Sequence, residues 1–178
     1  MIYPLKTVIN LKSQAPKAKL SEIILLTLFG VLMYVSQVIM ASLPNIEIVS
    51  LLIIIVTRRF GFKALYSVYV FVFCEILTYG IHIWVINYLY VWAILCFAVI
   101  ALRSIDSAAL YTLIASLFGL CFGTLCSVPY FFIGGFSMGI GYIMSGIAFD
   151  LLHFGGNAVS VALLYRPLTK VMNKLIKS

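Results

Sequence analysis

Basic residues divide this chain into long apolar stretches. All 12 Lys and Arg residues fall in four groups, at 6–19, at 58–63, at Arg103 alone and at 166–177. Lipid strongly disfavours charged groups, and cytoplasmic loops collect Lys and Arg, so groups that recur at every second connection mark one side of a membrane. The pattern predicts a polytopic membrane protein with both termini in the cytoplasm.

The composition supports a membrane class and argues against a soluble one. Hydrophobic residues make up 64% of the chain and charged residues only 10%, which lies far outside the range of soluble domains. The formal net charge is +7, but the basic residues flank apolar spans and form no continuous stripe. Anionic lipid headgroups are therefore the expected partners of these charges, and nucleic acid is not.

Span lengths predict an all-α bundle of six transmembrane helices. A bilayer core of about 30 Å needs about 20 helical residues, fewer where protein lines a cavity. The expected spans lie near 21–41, 46–57, 64–82, 88–102, 108–128 and 142–165. They form a transmembrane substrate-binding domain over 21–165, between a basic cytoplasmic arm at 1–20 and a basic cytoplasmic tail at 166–178.

Two features of these spans favour a substrate cavity near the outer surface. The second and fourth spans are short, and unusually short spans can mark a binding site. Segment 129–141 is rich in glycine and aromatic residues between the last two spans. We expect it to form a mobile outer loop or lid.

Polar residues inside the spans are few and fall into groups. An ionisable group within a membrane costs at least about 2.5 kcal/mol, so each needs a buried partner or a function. Helical spacing places one set on a face of the third span and another on a face of the sixth. A third set lies where the chain enters span two and where it connects spans three and four. The predicted substrate-binding residues are Asn45, Glu47, Glu75, Tyr79, His82, Trp84, Asn87, Tyr88, Trp92, Asp150, His153 and Asn157.

Structural roles compete with this interpretation. Asp150 and His153 could satisfy each other or a backbone group inside the bundle. The Trp and Tyr residues around the third connection are also typical of an interfacial aromatic belt. Ala115, Gly119 and Gly123, at four-residue spacing, favour close helix packing over ligand contact.

Enzymatic function lacks sequence support. The chain has no His-Glu-x-x-His motif, no cysteine pair at two-residue spacing, no nucleophile elbow and no Walker phosphate loop. We therefore expect no catalytic residues, no cofactor and no bound metal. A membrane metal or redox subunit that uses Asp150 and His153 as ligands or as an acid–base pair is the alternative of a different class, and a purely structural subunit is another.

Two segments resemble a family of membrane transporters. Segment 43–47 reads Leu-Pro-Asn-Ile-Glu and segment 149–157 reads Phe-Asp-Leu-Leu-His-Phe-Gly-Gly-Asn. Together with the six-span profile, they resemble the substrate-binding S components of energy-coupling factor (ECF) vitamin transporters. The resemblance implies a six-helix bundle in the cell membrane that captures a vitamin from outside. It also implies a scaffold transmembrane subunit and two cytoplasmic ATPases as partners. Many members carry an Ala-x-x-x-Ala docking motif on the first helix, which 25–40 lacks.

The expected ligand is a small planar water-soluble vitamin or precursor, such as a pyridoxine-type or hydroxymethylpyrimidine-type ring. Trp and Tyr side chains would stack on the ring, and Glu47 or Glu75 would accept hydrogen bonds from its amino or hydroxyl groups. No Arg or Lys lies in the outer half of the predicted spans, which disfavours acidic vitamins. Cobalamin is the alternative within the same family.

Overall fold

The computed structural model describes residues 20–43 and 45–177, which are helical with short connections and include no strand. The predicted arm at 1–20 lies outside this part of the chain except for Leu20, where the first helix begins. The helices are α1 Leu20–Ile39, α2 Val49–Phe60, α3 Ala64–Tyr79, α4 Ile83–Ala101, α5 Ala108–Cys126 and α6 Val128–Lys177, with a 3₁₀ turn at Gly61–Lys63. The all-α prediction is confirmed.

Five helical stretches are long and apolar enough to cross a membrane. They are Leu20–Ile39, Val49–Tyr79, Ile83–Ala101, Ala108–Cys126 and Val128–Lys174. The second stretch contains both α2 and α3, because only the 3₁₀ turn separates them. The chain therefore has the helices of a multi-pass membrane protein, while the count of six spans and the orientation of the termini stay predictions.

Two local predictions are wrong. Segment 129–141 is no loop, because α6 is helical there except at Gly134 and Gly135, where the backbone leaves the helical region and Gly135 has φ 71°. α3 ends at Tyr79, so His82 does not continue its face. His82 instead has an extended backbone and precedes α4, because Gly80 with φ 78° turns the chain first. Helix α6 continues past the predicted domain boundary at 165 to Lys177, while the cytoplasmic tail at 166–178 stays a prediction.

Helix α2 lies at the centre of the bundle. Every residue over 49–57 is buried, and α2 contacts α1, α3, α4, α5 and α6. A helix that is apolar on all sides is stable only inside a structure, which explains why this short helix carries almost no polar face. The fold is thus organised around α2, which corresponds to the second of the predicted spans and is one of the two that are short in the sequence.

Glycines allow α5 and α6 to approach closely. A Cβ atom on Gly119 would lie 2.8 Å from the backbone carbonyl carbon of His153, and one on Gly123 would lie 2.6 Å from Oδ2 of Asp150. Both distances are too short for a side-chain carbon. The predicted role of these glycines in helix packing is confirmed. The close contact also sets the position of His153 and Asp150 against α5.

Polar contacts join the helices at the end of the bundle where the basic residues lie. Nζ of Lys63 lies 2.8 Å from Oε2 of Glu22, which ties the start of α3 to the start of α1. Arg58 donates to Asp106 at 2.7 Å and also to the hydroxyl of Tyr165. Arg103 donates to the carbonyl oxygens of the last turn of α2. These contacts connect α2, the α4–α5 connection and α6.

We expect Gly119→Ala to lower the free energy of unfolding by about 1–3 kcal/mol, because the new methyl group overpacks the contact with the α6 backbone. Thermal unfolding of the detergent-purified protein measures this effect. Gly146→Ala is the matched control, since a Cβ atom there meets nothing within 4 Å. It should leave stability unchanged or raise it by up to about 1 kcal/mol, as expected for Gly→Ala in a helix. Equal effects of the two changes would contradict the packing argument.

The Arg58–Asp106 contact predicts a pH-dependent contribution to stability. The hydrogen bond from Arg58 lowers the pKa of the Asp106 carboxyl below its ordinary value of 3.8. The contribution is therefore present above the ordinary pKa and is lost as the pH falls through the lowered pKa. Asp106→Asn should reduce stability at neutral pH by about 0.2–1 kcal/mol, since solvent screens this exposed group. The difference from the original protein should shrink as the pH falls below 3.8 and through the lowered pKa, and a difference that stays constant on acidification would contradict the assignment.

Candidate functional site

A cavity of about 370 Å³ lies at the end of the bundle where α1 and α3 end and α2 and α4 begin. The basic side chains that contact Glu22 and Asp106 lie at the opposite end of these helices. Eight of the predicted site residues line the cavity: Asn45, Glu47, Glu75, Tyr79, Trp84, Tyr88, Trp92 and His153. Residues far apart in the chain thus meet as the sequence analysis expected.

Four predicted residues do not line the cavity. His82 is exposed before α4. Asn87 is buried, where it donates to the carbonyl of Cys126 and accepts from Tyr90. Asn157 is buried too, where its amide donates to the hydroxyl of Ser50 and to the carbonyl of Ala115. The two asparagines bond helices together, and Asp150 is the fourth residue outside the cavity.

Asp150 is satisfied by the backbone and not by His153. Its Oδ1 accepts a hydrogen bond of 2.9 Å from the amide of Gly123. A glycine is needed at that point because a side chain would occupy the space of the carboxylate. The alternative in which Asp150 pairs with a backbone group is therefore the one that the structure supports.

His153 pairs instead with Glu47, across the bundle. Nε2 of His153 lies 3.1 Å from Oε1 of Glu47, and the two side chains are 3% and 12% exposed. The other carboxylate oxygen of Glu47 accepts from the amide of Ser50, in the first turn of α2. An acidic group is favoured there, because the first amides of a helix lack partners. The pair connects the start of α2 to the middle of α6.

The connection between α1 and α2 is held against α6 at a second point. Asn45 donates to the carbonyl of Phe149 at 3.2 Å and has φ 53°, a conformation that asparagine tolerates better than most residues. The connection passes close to Gly156, where a Cβ atom would lie 3.5 Å from Cα of Ile46, at ordinary van der Waals distance. This connection covers one side of the cavity.

Aromatic rings form a continuous wall along the cavity. Tyr79, Trp84, Tyr88 and Trp92 contact one another in series, with ring centroids 5.7, 5.4 and 5.3 Å apart and all in edge-to-face geometry. Phe122 extends the series through a 5.5 Å contact with Trp92. Edge-to-face pairs support one another, so the wall is formed before any ligand arrives.

Three polar groups that line the cavity retain unused hydrogen-bonding capacity. Glu75 is fully buried, and neither of its carboxylate oxygens has a partner among the described residues. Nε1 of Trp92 and Nδ1 of His153 are likewise buried and unpaired within that part of the chain. Buried polar groups are normally hydrogen-bonded, and each exception needs an explanation. A bound molecule that accepts from Trp92 and donates to Glu75 would supply one.

Six further residues line the cavity although the sequence did not predict them, namely Gln37, Met40, Ala41, Leu43, Ile46 and Phe122. Gln37 donates to the hydroxyl of Tyr88 at 3.0 Å and lies in the last turns of α1, beside Met40. An amide inside an otherwise apolar span is itself a signal of function or partnership, and it was available in the sequence. Phe122 gave no such signal, because an aromatic residue in an apolar span has no distinctive pattern.

Neither metal-ligand geometry nor comparison with known proteins indicates a function for the cavity. Over residues 20–43 and 45–177, no group of three His, Cys, Asp or Glu side chains could hold a metal ion. No protein-family model, curated protein or solved structure matches this chain. The geometry of the cavity and the residues that line it are therefore the features that indicate a function.

Replacing Glu75 should stabilise the ligand-free protein. Glu75→Met removes a buried carboxylate that has no partner among the described residues, so the free energy of unfolding should rise by about 1–3 kcal/mol. Thermal unfolding without ligand measures the change. Glu22→Met is the control, because Glu22 pairs with Lys63 and its loss should not stabilise the protein. A destabilised Glu75→Met protein would indicate that Glu75 has a partner.

Proposed function

We propose that this chain is the membrane-embedded substrate-capture subunit of an ECF-type vitamin importer. The observation that carries the proposal is the cavity itself, which is lined by aromatic side chains and by a buried carboxylate that has no partner among the described residues. Such a cavity has the composition of a small-molecule site, with apolar walls and few polar groups that fix orientation. A purely structural subunit gives no reason for three cavity-lining side chains to retain buried polar atoms without partners among the described residues.

The proposed orientation places the cavity on the outer side of the cell membrane. Arg58, Arg59, Lys63 and Arg103 lie at the opposite end of the helices from the cavity. The positive-inside rule assigns that basic end to the cytoplasm. With α1 to α6 each crossing the membrane, both termini are cytoplasmic as well. The ligand then enters from outside, as capture of a vitamin requires.

The cavity volume favours a small ring over cobalamin. A volume of about 370 Å³ lies near the lower end of the range for small-molecule sites. A pyridoxine-type or hydroxymethylpyrimidine-type ring fits such a space, whereas a corrin ring with its side groups is several times larger. Cobalamin would require the connection between α1 and α2 to move away from α6 and to stay open.

The chain is proposed to bind its ligand without chemical conversion. Transport then needs energy from elsewhere, since the sequence has no Walker phosphate loop. We propose a scaffold transmembrane subunit and two cytoplasmic ATPase subunits as partners, which is what the family resemblance implies. Opening of the α1–α2 connection would have to break the Glu47–His153 and Asn45–Phe149 contacts.

Native mass spectrometry of the detergent-purified protein tests the proposal. We expect a co-purified molecule of the size of a single-ring or two-ring vitamin, bound one to one. Equilibrium binding of a panel of radiolabelled vitamins gives an independent measurement. If no molecule co-purifies and no vitamin in the panel binds, the proposed function is wrong.

Glu47→Gln should weaken binding of the co-purified ligand by about tenfold or more, which corresponds to about 1.4 kcal/mol. The change removes the charge that pairs with His153 and loosens the connection that covers the cavity. Isothermal titration of ligand-free protein measures the affinity. Glu22→Gln, at the other end of the bundle, is the matched control and should bind like the original protein. An unchanged affinity of Glu47→Gln would remove that carboxylate from the proposed site.

A further inference from the structure

The charges around the cavity do not balance. Among the described residues that line it, the titratable acidic and basic side chains are Glu47, Glu75 and His153, and none is Lys or Arg. Oε1 of Glu47 lies 3.1 Å from Nε2 of His153, so the Glu47 carboxylate has a partner. The carboxylate of Glu75 is left without a counterion in the described part of the chain.

The burial of Glu75 makes an uncompensated negative charge at this position energetically unfavourable. The residue is completely buried on α3, among apolar neighbours on the same helix such as Phe71 and Val72. Ionised carboxylates are retained in such surroundings when an opposite charge lies within a few ångströms. The cavity that Glu75 lines is the space from which such a charge can come.

The aromatic wall has the chemistry that attracts a positive charge. Five aromatic residues line the same cavity as Glu75, and two of them, Trp84 and Trp92, are tryptophans. The faces of aromatic rings carry negative potential, tryptophan most strongly, and cages of such rings bind organic cations. A carboxylate and several aromatic faces around one cavity therefore both favour a positively charged ligand.

We infer that the ligand of this cavity carries a positive charge, on a ring or amino nitrogen that lies against the Glu75 carboxylate. The inference rests on the proposed function, which requires a ligand but not a charged one. Glu75 supplies the counterion, and the aromatic wall surrounds the rest of the cation. The unpaired Nε1 of Trp92 donates to an acceptor on the same molecule and fixes its orientation.

The charge of the ligand distinguishes candidates that the cavity volume alone does not. A neutral ring can donate a hydrogen bond to the Glu75 carboxylate but brings no counterion for it, and it gains little from the aromatic faces beyond stacking. An anionic ring would meet a carboxylate and no cationic side chain that is free of a partner among the residues described around the cavity. A cation both neutralises the carboxylate and is attracted to the faces of the aromatic wall.

The first test identifies the charge of the co-purified molecule. The ligand is released from the purified protein by denaturation, its mass is determined, and its electrophoretic mobility is measured at neutral pH. A cation supports the inference. A neutral or anionic ligand overturns it and leaves the proposed function intact, so the two can fail separately.

The second test applies whether or not a ligand co-purifies. The probes are 1-methylnicotinamide and 3-methylbenzamide, which have nearly the same shape. They differ in that the first has a positively charged ring nitrogen where the second has a neutral ring carbon. We expect the ligand-free protein to prefer the cation by about tenfold or more in equilibrium binding. If no ligand co-purifies, equal affinity, preference for the neutral probe or no binding of either probe overturns the inference.

Variants assign the preference to Glu75. Glu75→Gln should reduce the preference for the cation to about twofold or less, because it removes the charge and keeps the shape. Glu22→Gln keeps the cavity unchanged and should retain the full preference. If Glu75→Gln does not fold, the probe pair on the original protein still decides. A folded Glu75→Gln protein that keeps the preference would overturn the assignment.

Discussion

A hydrocarbon surrounding offers no hydrogen bonds, so every polar group inside this bundle must find a partner in the protein or in a ligand. Most of the buried polar side chains obey this rule through helix-to-helix contacts. Asp150 bonds to the backbone at Gly123, and Asn87 bonds to Tyr90 and to the carbonyl of Cys126. Glu75 differs from these groups, because neither of its carboxylate oxygens has a partner among the described residues.

The same rule explains why the cavity can exist in so short a helix bundle. α2 is only 12 residues long and buries every residue over 49–57 against other helices. The connection that precedes α2 carries Glu47 into the cavity and bends onto α6 through Asn45. The space beyond the start of α2 is therefore bounded by the ends of longer helices, and aromatic rings line its sides.

Much of the fold followed from the sequence, because the forces that decide it are local. Hydropathy located the helices, and four-residue spacing identified Gly119 and Gly123 as packing positions. The failures came from backbone conformation. Gly80 turns the chain before His82, whereas an uninterrupted helix was assumed, and glycines at 134 and 135 interrupt α6 without unfolding it.

The candidate site was predictable to the extent that its polar residues are rare. Eight of the twelve predicted residues line one cavity, because polar residues in apolar spans face the interior of the bundle or a cavity and avoid lipid. Periodicity could not tell a residue that faces the cavity from one that faces a neighbouring helix. Asn87 and Asn157 share helical faces with site residues, yet both bond to carbonyl groups of neighbouring helices. Whether such a residue faces the cavity or a neighbouring helix depends on how its helix is rotated and positioned in the bundle.

Helix α6 contacts both ends of the molecule. His153 touches the cavity, and Tyr165 touches Arg58 and Asp106 near the opposite end. No break in the helix separates these two residues, so about 18 Å of rigid rod connects them. A shift of His153 along or across the helix axis would therefore be transmitted to the contacts of Tyr165 with Arg58 and Asp106.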